Sequence, residues 1–216
     1  AIYRSVRLRD DSGGSGTSMR RRLERIALNS WAISTAGIST QHLIAVAEVG
    51  PDAAVLAFEH VPGRTFASVG HVLGDAELAG AWEIVRDLQS ARIAHRVLIA
   101  ENFLQANDGK VYIQGIDDGS VAASEVLLRI DLAEALVTLS LSADPARAIQ
   151  AGRVVLGDVG LARALPALQL VALSGHTRSQ LKENRELLTT LRETILYNMP
   201  ESNAQEIEIE RVKPRT

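Results

Sequence analysis

The chain has 216 residues, 46% apolar and 23% charged, with a formal net charge of -3. It is long enough to bury a core of its own, and nothing in its charge asks for nucleic acid or an acidic substrate. The absence of cysteine excludes disulfides, thiolate metal sites and cysteine nucleophiles. No apolar run reaches the length of a bilayer-crossing helix and no signal peptide opens the sequence, so the chain as given is expected to be soluble. Lysine is scarce: only Lys110, Lys182 and Lys213 among 23 basic residues, which limits lysine-dependent chemistry in the first half.

Residues 2–9 alternate over too few positions to separate a short strand from a helix end. Asp10 to Ser18 is Gly/Ser-rich and reads as a loop. Thr17 or Ser18 then caps a helix over roughly 19–36, with Leu23, Ile26, Ala27 and Trp31 on its apolar face. His42–Val49 and Ala53–Val61, split by the turn cluster Gly50-Pro51-Asp52, predict a hairpin. A helix over about 75–91 follows, with Leu78, Trp82, Val85 and Leu88 on its buried stripe. Residues 92–102 read as a loop. Phe103-Leu104-Gln105 and Val111-Tyr112-Ile113 then flank Asn107-Asp108-Gly109 as a second, tight hairpin. Four helices are predicted over 126–141, 144–156, 158–173 and 177–197, and residues 198–216 read as an extended tail. The fold class is therefore α+β.

Three stretches stand in order along this pattern. They are Ala57-Phe58-Glu59-His60-Val61-Pro62-Gly63 at a strand end, His95-Arg96-Val97-Leu98-Ile99-Ala100-Glu101-Asn102 after a helix, and Ile116-Asp117-Asp118-Gly119 after a hairpin. The kinase catalytic loop has the pattern H-R-D-x-x-x-x-N and is followed by D-F-G. His95, Arg96, Asn102, Asp117 and Gly119 fit that spacing. Over roughly residues 19–197 the chain resembles the protein-kinase-like superfamily, including its aminoglycoside-phosphotransferase-type branch. The resemblance implies a reduced or truncated N-lobe over 1–62, carrying a helix and a hairpin. It further implies a mainly helical C-lobe over 63–197 and a tail over 198–216. It gives Asn102 and Asp117 as cofactor-binding and metal-binding residues, toward ATP and Mg²⁺. It also gives Asp131 a structural role, accepting hydrogen bonds from the loop backbone; a carboxylate favoured by the helix dipole is an equal alternative there.

The departures matter as much. The position of the catalytic base holds Val97, which has no group to accept a proton from a substrate hydroxyl. Glu101 sits four residues along and would need a different backbone path to replace it. No lysine precedes Lys110, so Glu24 on the 19–36 helix lacks the lysine partner kinases use. Asp118 replaces the phenylalanine of D-F-G and either adds a second carboxylate for a cation or faces water.

Other features carry less. Gly14-Ser15-Gly16 is a linker more readily than a nucleotide loop. His42, His60, His71, His95 and His176 show no zinc-ligand spacing. Arg20, Arg21, Arg22 and Arg25 form either a solvated helix face or a surface for anionic lipid headgroups. Aromatic content of 4% argues against nucleic-acid stacking.

Residues 210–216 (Glu-Arg-Val-Lys-Pro-Arg-Thr) resemble the connector between a cytoplasmic kinase-like domain and the transmembrane region of actinobacterial lysylphosphatidylglycerol-synthase-type membrane proteins. Basic residues before a membrane segment fit the positive-inside rule. Together these resemblances imply a pseudokinase, a non-catalytic regulatory or interaction domain needing no cofactor. It would be membrane-associated on the cytoplasmic side, with its own transmembrane region or another membrane protein as partner. An atypical small-molecule phosphotransferase is the alternative.

Overall fold

A computed structural model describes residues 4–9, 17–49, 53–69 and 72–198. The Gly/Ser stretch up to Gly16, the 50–52 turn and the 199–216 tail lie outside those residues, as does the side chain of Arg20.

The chain is an α+β protein. Residues Arg4–Arg9 form β1, Leu43–Glu48 β2 and Ala53–Phe58 β3, and these make one antiparallel sheet in the order β1-β3-β2. The ambiguous N-terminal stretch is thus a strand, because β3 offers it a free edge. Helix α1, Thr17–Thr35, packs across this sheet. Its Leu23 and Ile26 meet Ala54 and Leu56 of β3 in a small core separate from the main one. Leu23, Ile26, Asn29, Ser30 and Ile33 make the buried stripe of α1. The predicted stripe included Trp31, which instead is 66% exposed. Its position is one residue past the inward line, about 100° around the helix from Ser30.

The strand predicted to reach Val61 stops at Phe58. After it Gly63–Thr65 forms β4, a strand the sequence pattern missed, which pairs with Phe103–Ala106 (β5); Val111–Ile113 (β6) completes the second sheet. Gly63 is required by close approach: a Cβ there would sit 2.2 Å from the Gln105 carbonyl oxygen. The two sheets are stitched at Thr40, whose Oγ1 donates to the Ile113 carbonyl at 2.9 Å, while Ile113 N–H donates to Ser39 O at 2.9 Å.

Helix α2, Asp75–Ser90, buries the expected stripe of Leu78, Trp82, Val85 and Leu88. Helix α3, Glu125–Ser142, runs through the centre with residues 131–140 all buried, as expected of a helix apolar nearly all round. Ser124 caps it through the Leu127 N–H. Helix α4, Pro145–Ala162, starts from an Asp144 cap and breaks at Gly157, which has φ +72. That break matches the expected boundary between 156 and 158. Beyond it the helix ends at Ala162 rather than 173, because Pro166 has no N–H to continue the ladder and the chain turns through Leu165–Ala167. The last predicted helix is also divided, into α5 (Gly175–Gln180) and α6 (Leu187–Asn198). Residues 182–186 are all exposed and polar, so no packed apolar face holds a helix there. No helix among the described residues is long and apolar enough to cross a membrane.

Candidate functional site

The loop 95–102 is built between two fixed edges. On one side residues 92–94 pair with 120–123: Ala94 N–H donates to Ser120 O at 2.9 Å, Ser120 N–H returns to Ala94 O at 2.8 Å, and Ala123 N–H reaches Arg92 O at 2.8 Å. On the other side β5 leaves directly from Asn102. The loop must therefore turn back over α3, and a carboxylate on that helix meets it.

Asp131 Oδ2 accepts the His95 N–H at 2.5 Å, and Oδ1 accepts the Arg96 N–H at 2.9 Å. Asp131 is in the second turn of α3, beyond the reach of the helix dipole's N-terminal end, so the loop-binding role is the one it performs. Two successive amides converge on one carboxylate because Arg96 adopts a left-handed φ of +74, a conformation that costs a side-chain-bearing residue about 1–2 kcal/mol. Burial pushes the Asp131 carboxyl up to about 7, while the two N–H groups and the Arg96 guanidinium pull it down and Glu134 adds to the rise.

His95 is fully buried, and burial holds its imidazole down at about 4, so the ring is neutral at pH 7. Its Nε2 lies 3.0 Å from the Gln114 carbonyl, which can only accept; Nε2 therefore carries the proton, and Nδ1 is left buried without a hydrogen-bond partner.

At the far end, Asn102 Nδ2 donates to the Val97 carbonyl at 2.8 Å and closes the loop on itself. Asn102 O accepts from Gln114 N–H at 2.9 Å, and the Asn102 amide lies against Gly115. A Cβ on Gly115 would stand 2.5 Å from Asn102 Oδ1, and Gly115 also has φ +78, so both space and backbone demand glycine. Asp117 lies two residues further, on the short 3-10 turn Ile116–Asp118. It lines a cavity of about 120 Å³ together with Thr40, Gln41, Phe58 and Gln114.

Val97 is half-buried and presents only methyl groups. The Glu101 carboxylate turns toward α5, where its Oε1 lies 3.5 Å from His176 Nε2. Asp118 is exposed and pairs with Arg25 of α1 at 3.7 Å, which engages one arginine of the basic cluster; Arg21 and Arg22 are exposed, as is Glu24.

Two residues that the sequence reading overlooked complete the site's support. Buried Asn29 donates Nδ2 to the carbonyls of Gly119, at 2.8 Å, and Ile116, at 3.4 Å, docking α1 onto the 116–119 turn. Buried Glu134, one turn beyond Asp131, accepts from Ser174 N–H at 2.9 Å and Thr177 Oγ1 at 2.5 Å, tying down the start of α5. The available signal was a polar residue inside each apolar stripe, since a buried polar group must find a partner.

Asn102 and Asp117 each carry a side-chain oxygen of the kind Mg²⁺ takes, but of the two only Asp117 is among the described residues lining the cavity. The cavity beside Asp117, about 120 Å³, is below the roughly 300–1,000 Å³ of a small-molecule pocket. No group of three or more His, Asp or Glu side chains placed to hold a metal occurs among the described residues.

No protein-family model matches the chain, and no curated protein matches it. Solved structures do. The crystal structure of WbdD superposes with a TM-score of 0.47 at 14% identity, over 64% of this chain and 33% of WbdD. The matched region thus spans about a third of the length of WbdD. At that TM-score the likeness fixes neither a family nor an activity.

Proposed function

We propose that this chain is a kinase-like pseudokinase: a non-catalytic regulatory or interaction domain, with a reduced N-lobe made of α1 and the β1-β3-β2 sheet. The observation that carries the reading is the pair of amides, His95 and Arg96, held on Asp131 while Asn102 ties back to the carbonyl of Val97. A loop of that shape, with Asp117 on the following turn, has the framework for phosphoryl transfer and lacks the base that would orient an acceptor hydroxyl. The four-residue buried core beneath the first sheet supports a small N-lobe. By this reading the partner is its own transmembrane region or another membrane protein on the cytoplasmic face. Exposed Arg21 and Arg22 are available to anionic headgroups.

The test is a phosphotransfer assay on the protein with ATP and Mg²⁺. No turnover is expected. Turnover that is lost in both Asn102→Ala and Asp117→Ala would sink the proposal.

One observation favours a second reading, an atypical small-molecule phosphotransferase. The Glu101–His176 pair is a carboxylate and an imidazole on and beside the same loop, chemically able to take a proton. Thermal shift with Mg²⁺ and ATP, with Asp117→Ala as control, separates the possibilities. Binding without transfer marks a nucleotide sensor, and no shift marks a pure interaction surface.

A further inference from the structure

A groove of about 730 Å³ opens between α5, the turns that follow it and the start of α6. Its apolar wall is Leu170, Leu181 and Leu188, and its rim is Arg178, Lys182 and Arg185. None of the described residues lining it is a carboxylate, and none of the three cations forms an ion pair with a described residue. Three cations concentrated over leucine side chains make a surface for something acidic and apolar at once. Lysine is rare in this chain, and one of only three stands on this rim.

The chain itself contains a stretch of that character. Glu206-Ile207-Glu208-Ile209-Glu210 alternates three carboxylates with two isoleucines, so that in an extended conformation acids and apolar side chains point to opposite sides. It lies outside the described residues. We propose that residues 206–210 occupy the groove of their own chain, the isoleucines against the leucine wall and the glutamates beside Arg178, Lys182 and Arg185.

The reach is sufficient. From Asn198, the end of α6, to Glu206 is eight residues (206 − 198), roughly 26 Å at about 3.3 Å each. The twelve residues of α6 are about 18 Å long, so the segment can return along the helix to Leu188. Tethering at that range gives an effective concentration in the millimolar range, so a contact too weak to hold a free peptide is populated within the chain. The proposal is independent of what the 95–102 loop does.

The absence of cysteine makes the test clean, because two introduced cysteines form a unique pair. In the full chain, Ser179→Cys with Ile207→Cys is expected to cross-link within one molecule about tenfold faster than a control pair, Trp31→Cys with Ile207→Cys. The rate should not change with protein concentration. It should fall to the control rate when Arg178, Lys182 and Arg185 are all changed to Glu, and recover when Glu206, Glu208 and Glu210 are changed to Lys in the same chain. A rate equal to the control overturns the proposal. So does a cross-link between two chains that rises with concentration, which would make the occupant a second copy. Indifference to both charge reversals overturns it as well.

Discussion

Asn29 on α1 donates its side-chain amide to the carbonyl of Gly119, 90 residues away in sequence, at 2.8 Å. The bond is buried, and it holds the first helix on the turn that carries Asp117 and Asp118. Together with the Arg25–Asp118 pair on the surface, it makes the position of α1 and the shape of residues 116–119 one structural variable.

Asn29→Leu should therefore destabilise the protein by about 1–3 kcal/mol, because it takes from the Gly119 carbonyl its buried donor at 2.8 Å, while the Ile116 carbonyl keeps the Gly119 N–H. Trp31→Ser, on the same helix but 66% exposed, should change stability by less than about 0.5 kcal/mol. Urea denaturation of the two variants checks the contrast; equal losses would mean that α1 is seated differently.

Asp131→Asn should cost about 1–3 kcal/mol at pH 7, since an amide can offer one acceptor oxygen to two N–H groups and points a donor at the other.

The pH dependence of that variant is distinctive. In the parent, His95 falls from 6.5 to about 4 on folding, so it favours the folded state fully above pH 6.5 and loses that effect as pH drops toward 4. Asp131 rises from 3.8 to about 7, so its effect runs the other way and is lost as pH climbs through 7. Between about pH 4 and 6.5 the two oppose each other and the parent's stability is comparatively flat. Asp131→Asn leaves His95 alone, so its stability should rise steeply with pH across that window. Unfolding midpoints at pH 4.5, 5.5 and 6.5 measure the slope; a variant as flat as the parent would contradict the assignment.

Two glycines separate backbone strain from crowding. Gly109→Ala meets nothing within 4 Å and should lose only the left-handed φ term, about 1–2 kcal/mol. Gly115→Ala carries the same term and also collides with Asn102, so it should lose more and should loosen the Asn102–Val97 bond. Thermal melts, with the Asn102 side-chain amide followed by NMR, distinguish them.

Thr177→Val removes the hydroxyl that donates to Glu134 and leaves a buried carboxylate short of a partner. The expected loss is about 1–3 kcal/mol, with faster amide exchange over 174–181 than elsewhere.

Periodicity located α1, α2, α3, both hairpins and the break at Gly157, because an apolar stripe or a turn cluster is a local property that short-range sterics enforce. The loop spacing from His95 to Asn102, and Val97 inside it, were equally legible in the sequence, since motif positions are a matter of counting. What sequence could not supply depends on which elements meet. Strand β4 exists because Gly63–Thr65 finds the edge of β5, and the last helix divides because nothing packs on residues 182–186. Asn29 and Glu134 read as ordinary polar residues on helices until the fold places backbone C=O and N–H groups of distant segments against them, and Asp131, for which loop binding and the helix dipole stood as equal readings, is decided only where the His95 and Arg96 N–H groups meet it. A buried polar group takes whichever partner the tertiary structure brings, and its sequence neighbours do not name that partner.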